Sequence, residues 1–175
     1  MDAVYQLLQE TSVRDLTFEA IAKRAKVGRP TLYKWWPSKA ALVFATFHER
    51  IARDGASPTG GTAEEVIRLK VRRLIREFNG LFGKVMADLI AEGQSEPKVL
   101  HELYEQHMRS RRASTRTDIE RGIAAGEFAS GTDPELLMDA IFGPIFYRLL
   151  IRHAPLTQHY ADALLDQVLC GVRCA

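Results

Sequence analysis

An all-α fold is what this chain of 175 residues predicts, and three observations predict it. Apolar residues recur at three- and four-residue spacing along most of the chain, the period of a helix with one buried face. The strict apolar–polar alternation of a half-buried strand is absent, and so is any internal repeat. Asp54-Gly55-Ala56-Ser57-Pro58-Thr59-Gly60-Gly61 is the clearest break in composition. It predicts a loop joining a small N-terminal domain, residues 1–53, to a larger helical one, residues 62–175.

The first helix is expected over residues 2–10, packing through Val4, Leu7 and Leu8. Thr17 is a good N-cap for a second helix, with Glu19 in its first turn. Phe18, Ile21, Ala22 and Ala25 share one face of it. Lys26-Val27-Gly28 is short and contains a glycine, as the turn of a helix-turn-helix often does. Val27 is expected to plug the angle between the two helices. Arg29 and Pro30 open the third helix, where a missing N–H does no harm. Leu32 faces inward, which leaves Arg29, Thr31, Tyr33, Lys34 and Trp35 outside. Ser38 caps a fourth helix from Lys39 to about residue 52, with Val43, Phe44, Phe47 and Ile51 inward and Trp36 against it.

The outward set suits double-stranded DNA. Arg29 offers a bidentate pair to guanine, and the methyl or hydroxyl of Thr31 reads a base edge. The hydroxyls of Thr31 and Tyr33 hold phosphates, and Lys39 adds a positive charge beside free backbone N–H groups. The expected DNA-binding residues are therefore Thr17, Arg29, Pro30, Thr31, Tyr33, Lys34, Trp35 and Lys39. The net charge of +2 is unevenly placed: residues 1–52 carry +3 and the remainder −1. The excess lies on the segment expected to meet phosphate. A second reading makes this helix pair a docking face for a protein partner in a dimeric interaction protein. That face should be less basic and more apolar; Arg29, Lys34 and Lys39 speak against it, Trp35 and Trp36 for it.

Residues 3–51 resemble the N-terminal domain of TetR-type transcriptional regulators. Thr17, Ile21-Ala22, Ala25-Lys26-Val27-Gly28, Thr31-Leu32-Tyr33, Trp35-Trp36, Ser38-Lys39 and Leu42 carry the likeness in order. The resemblance implies a three-helix DNA-binding domain, a homodimer on a palindromic operator, and repression relieved by a small ligand in the C-terminal domain. Two positions depart from the family pattern. Lys26 stands where a glycine is usual, and Ala40 where an acidic residue is usual. The first helix begins almost at Met1, whereas many relatives have a basic arm ahead of it; contacts from such an arm are expected to be missing, or the chain to be trimmed.

In the C-terminal part, Thr62-Ala63-Glu64-Glu65 reads as a capping box. Ile67, Val71, Leu74, Ile75 and Phe78 follow as a stripe running towards Phe82. A shorter helix is expected around residues 84–92, then a long one from Pro97 to about residue 125, ended by Gly126. Its charges, Arg109, Arg111, Arg112, Arg116, Asp118, Glu120 and Arg121, read as a solvated, salt-bridged face, the alternative being an arginine turned inward to an anionic ligand. Asp133-Pro134 opens a helix to about residue 153 that is apolar nearly all round and bent at Gly143-Pro144. Thr157 caps a last helix with Ala161, Leu164, Leu165, Val168, Leu169 and Val172 on one stripe. Two such helices have more apolar surface than one small domain covers, so a symmetric partner is expected over them, forming a four-helix bundle. The resemblance implies the same homodimer interface. Asp133-Pro134-Glu135-Leu136-Leu137 and Phe142-Gly143-Pro144-Ile145-Phe146-Tyr147-Arg148 also resemble, more loosely, the ligand domains of one TetR subgroup.

An unidentified small-molecule effector is expected among the central helices. Phe78, Phe82 and Met86 offer one part of an apolar wall, Tyr104 and Met108 another. Phe142, Phe146 and Tyr147 complete it. The chain shows no nucleophile–base pairing, phosphate loop or metal-ligand spacing, so no enzyme, cofactor or metal is expected. His101 and His107 are six apart, on different helical faces. Cys170 and Cys174 share a face of the terminal helix without a matching His or Cys nearby, and read as core or frayed-end residues. No signal peptide is read at the N-terminus, and Leu136 to Ile151, interrupted by Asp139, Pro144 and Arg148, is short for a bilayer; a cytoplasmic protein without membrane contact is expected.

Overall fold

The structure, a computed structural model, describes residues 1–53 and 60–173, with backbone alone for 51–53. Cys174, the Ile51 side chain and most of the expected loop, residues 54–59, lie outside the described residues. Helices α1 (Asp2–Glu10), α2 (Phe18–Ala25), α3 (Arg29–Trp35) and α4 (Lys39–Arg53) are followed by α5 (Ala63–Phe78), α6 (Leu81–Ser95) and α7 (Pro97–Leu103). A π-helical turn (Tyr104–Met108) leads into α8 (Arg109–Ala124), and α9 (Pro134–Ile151) and α10 (Gln158–Cys170) complete the order. Among the described residues the one extended pairing is a bridge between Phe128 and Arg173.

Side-chain caps start these helices where the sequence places them. Thr17 accepts from the Ala20 N–H at 3.2 Å and Ser38 from Ala41 at 2.9 Å. Thr62 and Glu65 close a reciprocal capping box. Asp133 accepts from Glu135 and Leu136, and Thr157 from Tyr160. Each satisfies an N–H that has no partner inside its helix. Gly126 stands just beyond α8 at φ +73°, a backbone that costs glycine little.

Two expected helices have other bounds. The helix after α5 begins at Leu81, not near residue 84, and runs to Ser95. The long helix expected from Pro97 is interrupted at Tyr104–Met108 by wider π-helical winding. An apolar pattern that continues through such a turn does not reveal it.

The chain forms two compact units. The first holds residues 1–56 and 81–109, so α6 and α7 pack with the N-terminal helices. Its core includes Val4, Leu8, Val13, Leu16, Ile21 and Leu42, with Phe47 against Phe82 at a ring distance of 5.3 Å. His107 is buried here, its ring 5.0 Å from that of Phe82 and 6.5 Å from that of Phe44. The second unit, residues 57–80 and 110–175, buries Ile67, Val71, Ile75, Ile119, Phe128, Met138, Ile141, Leu165 and Leu169. Its α8 is salt-bridged: Arg111 to Glu77, Arg112 to Glu135 and Asp139, Arg116 to Glu135. Arg72 holds Asp162 at 2.9 Å across α5 and α10.

Candidate nucleic-acid interface

α2, the turn and α3 set out the expected recognition surface. The turn is built differently from expectation. Val27 does not plug the interhelical angle; it is 41% exposed, while Ile21, Ala22 and Leu32 are buried. Ala25 is exposed as well. The residue that reverses the chain is Lys26, in the left-handed region at φ 54°, ψ 42°, its N–H bonded to the Ala22 and Lys23 carbonyls.

On α3, only Leu32 is buried. Arg29, Pro30, Thr31, Tyr33, Lys34 and Trp35 are all exposed, as is Thr17 at the head of α2. Trp35 is 67% exposed, with the Lys34 ammonium 5.9 Å from its ring centroid. The Tyr33 ring packs against Phe18 at 4.4 Å, which fixes the direction of its hydroxyl. Trp36 is half-buried rather than enclosed. The exposed surface of α3 thus carries cations, hydroxyls and a flat aromatic, the groups that meet phosphates and base edges.

Two of the cations are already engaged by acids that the sequence gave no reason to pair with them. Arg29 donates through Nη1 to Oε1 of Glu19 on α2. The Lys39 ammonium, expected to meet phosphate beside the free backbone N–H groups at the start of α4, lies 3.2 Å from the Glu92 carboxylate on α6 and 3.2 Å from the Arg14 carbonyl. Glu92 belongs to a polar stripe on α6. Lys84 donates to the Leu8 and Thr11 carbonyls at 3.3 and 3.0 Å, at the end of α1. Asp88 accepts from the Val13 N–H at 3.1 Å. Residues 84, 88 and 92 are four apart and so share one helical face. From α7, Glu102 accepts from Ser38 at 2.5 Å. The sequence signal for this stripe was the four-residue spacing of Lys84, Asp88 and Glu92 on a helix whose other face is apolar.

The residues expected to line an effector site divide between the two units. Phe82, Met86, Tyr104 and Met108 lie in the first, Phe78, Phe142, Phe146 and Tyr147 in the second. Phe82 and Met86 are buried core, Phe82 beside His107. Phe78 and Phe146 meet edge-on at 5.2 Å. Tyr104 and Tyr147 are exposed.

Comparison with known proteins agrees with this geometry. Residues 1–46 match the family described as bacterial regulatory proteins, tetR family. Residues 56–168 match the tetracyclin repressor-like C-terminal domain. An uncharacterised HTH-type transcriptional regulator of Bacillus subtilis, YdeS, is 34% identical over 99% of this chain and 87% of its own length. A further such regulator, from Mycobacterium tuberculosis, is 31% identical over 94% of this chain and 81% of its own length. The crystal structure of the TetR family transcription regulator SCO0332 superposes with a TM-score of 0.82 at 28% identity, covering 99% of this chain and 95% of that one. FadR from Bacillus subtilis, solved in complex with stearoyl-CoA, shares the fold with a TM-score of 0.74 at 20% identity, over 98% and 97% of the two chains. With a helix-turn-helix whose second helix bares a basic and aromatic face, and with both halves matched, this chain belongs to the tetR family of DNA-binding, helix-turn-helix transcriptional regulators, which are not enzymes.

Proposed function

We propose that the protein is a repressor that binds a two-fold operator as a homodimer and leaves it when a small molecule binds. The observation that carries the DNA part is the exposed face of α3: Arg29, Thr31, Tyr33, Lys34 and Trp35 are all outside, on a helix short enough to enter a major groove. Thr17 and Pro30 border that face, and Lys39 flanks it. Arg29 reads a guanine; the other groups position the helix through phosphates and base edges. A related protein of Mycobacteroides abscessus, 24% identical, carries the name DNA-binding transcriptional repressor TetR, which supports the direction of control.

An exposed apolar stripe supports the dimer. On α9, Leu136, Ala140, Gly143, Tyr147, Leu150 and Ile151 are all exposed and fall on one helical face. Leu164 and Val168 on α10 are half-buried. A second copy laid across α9 and α10 covers these groups. Tyr147 belongs to that stripe in this reading, not to the effector wall. Phe78, Phe142 and Phe146 in one unit, and Phe82, Met86, Tyr104 and Met108 in the other, remain the effector candidates. The same fold holds stearoyl-CoA in FadR, so an effector with a long apolar chain is compatible with it. A cytoplasmic location fits a regulator of DNA, and no described helix is long and apolar enough to cross a membrane.

The test is a mobility shift on the DNA upstream of the protein's own gene, with scrambled duplex as competitor. A competitor-resistant shift with two protomers per site, weakening steeply as salt rises, is expected. A folded dimer that shifts neither duplex at low salt would favour the protein-docking reading.

A further inference from the structure

We propose that Glu19 is a positioning residue for Arg29, holding its guanidinium for guanine and withholding it from phosphate. The proposal rests on the DNA-reading function above. An acidic side chain is out of place on a surface that meets a polyanion. Glu19 nevertheless sits there, in the first turn of α2 and more than half exposed. Its own backbone N–H holds its carboxyl below the usual carboxylate range, and the neighbouring Arg29 charge acts in the same direction. Glu19 is therefore ionised near neutral pH.

The pair does little for folding, because exposed ion pairs contribute little to stability. Its geometry fits recognition better. Glu19 takes Nη1 alone, which leaves Nη2 and Nε with N–H groups for the O6 and N7 of one guanine. Arginine is long and rotamer-rich, so fixing it before DNA arrives removes an ordering cost from binding. The carboxylate also repels phosphates, so Arg29 adds less to sequence-independent affinity. Both effects raise the ratio of operator to random binding, the quantity a regulator needs among many competing sites.

The experiment selects binding sites from a randomised duplex library with wild type, Glu19→Gln, Arg29→Ala, Arg29→Lys and the Glu19→Gln/Arg29→Ala double variant. Helix content and melting of each variant are measured first. Wild type is expected to enrich a two-fold site with one guanine per half-site that depends on Arg29. Glu19→Gln should lower preference for that guanine by about tenfold while leaving other positions unchanged. It should also bind scrambled duplex more tightly. Arg29→Lys keeps the charge without the fork and should lose the same guanine. In the Arg29→Ala background, Glu19→Gln should change nothing further at that base pair. A Glu19→Gln protein that enriches the wild-type motif at full strength overturns the proposal and leaves the DNA-binding reading standing. Uniform weakening on all sequences also overturns it, as a structural role. If wild type enriches no motif, the function proposed above falls, and this inference with it.

Discussion

Lys26 shows how far one residue of the turn departs from its easiest chemistry. It holds φ 54°, ψ 42°, a region where a β-carbon crowds the following carbonyl and glycine does not. Gly28, two residues later, sits at φ −74°, and a β-carbon there would meet nothing nearer than 3.6 Å. The turn therefore places its glycine where the backbone does not demand one, and a lysine where it does. Lys26→Gly is expected to raise stability by about 0.5–1 kcal/mol, the relief of left-handed strain less the extra entropy of the unfolded glycine. Thermal melting of the pair of proteins measures it, and a variant that melts below wild type contradicts the strain argument. The same substitution removes an exposed cation beside the recognition helix, so it should weaken binding to scrambled duplex at low salt. Stability and non-specific affinity moving in opposite directions would show that the lysine is kept for charge.

At the scale of elements, α6 grips the chain on either side of the helix-turn-helix through Lys84 at the end of α1, Asp88 at the loop after it and Glu92 at the start of α4. The last grip bears on DNA binding. Glu92 neutralises Lys39 through Oε1, while its Oε2 is buried without a hydrogen-bond partner among the described residues. Glu92→Gln removes the competing charge and leaves the Lys39 ammonium held only by the Arg14 carbonyl, from which it can turn to a phosphate. The expected result is tighter binding to any duplex, with the slope of log affinity against log salt steeper by roughly one. An unchanged slope would mean that Lys39 does not reach phosphate even when released. The four-residue spacing marks this stripe in the sequence but not its partners, because Val13 and Asp88 are 75 positions apart and periodicity reports only which face of α6 is apolar. α1 to α4 and the caps at Thr17, Ser38, Thr62, Asp133 and Thr157 were legible, since each is set by residues within one helical turn. Val27 misled because a β-branched apolar residue reads as core, yet a three-residue turn has little core to offer. The Glu19–Arg29 pair was missed because it crosses that turn, joining residues that helical spacing alone does not bring together.

At the scale of the whole molecule, a single protomer leaves bare an apolar stripe that a second copy would cover. Leu136 is 68% and Ile151 58% exposed at opposite ends of the α9 stripe. Between them lie Ala140 and Gly143, and a β-carbon on Gly143 would meet nothing within 4 Å. Large apolar ends with small residues at the centre suit two helices crossing at close range, since the interaxial distance is set by the side chains at the contact. Ala140→Glu tests this without touching the protomer's own core, because Ala140 is exposed in the protomer. In a symmetric interface near that centre, the two copies of the new carboxylate come close, desolvated and unpaired, a penalty of roughly 3–5 kcal/mol. The expected protein is folded, monomeric by sedimentation at concentrations where wild type is dimeric, and no longer concentration-dependent in its melting temperature. Each monomer still carries one intact recognition helix, so it should bind a half-site weakly and lose the two-protomer complex on the full operator. An Ala140→Glu protein that stays dimeric and binds the operator like wild type would place the interface elsewhere and remove the α9 stripe from the functional reading.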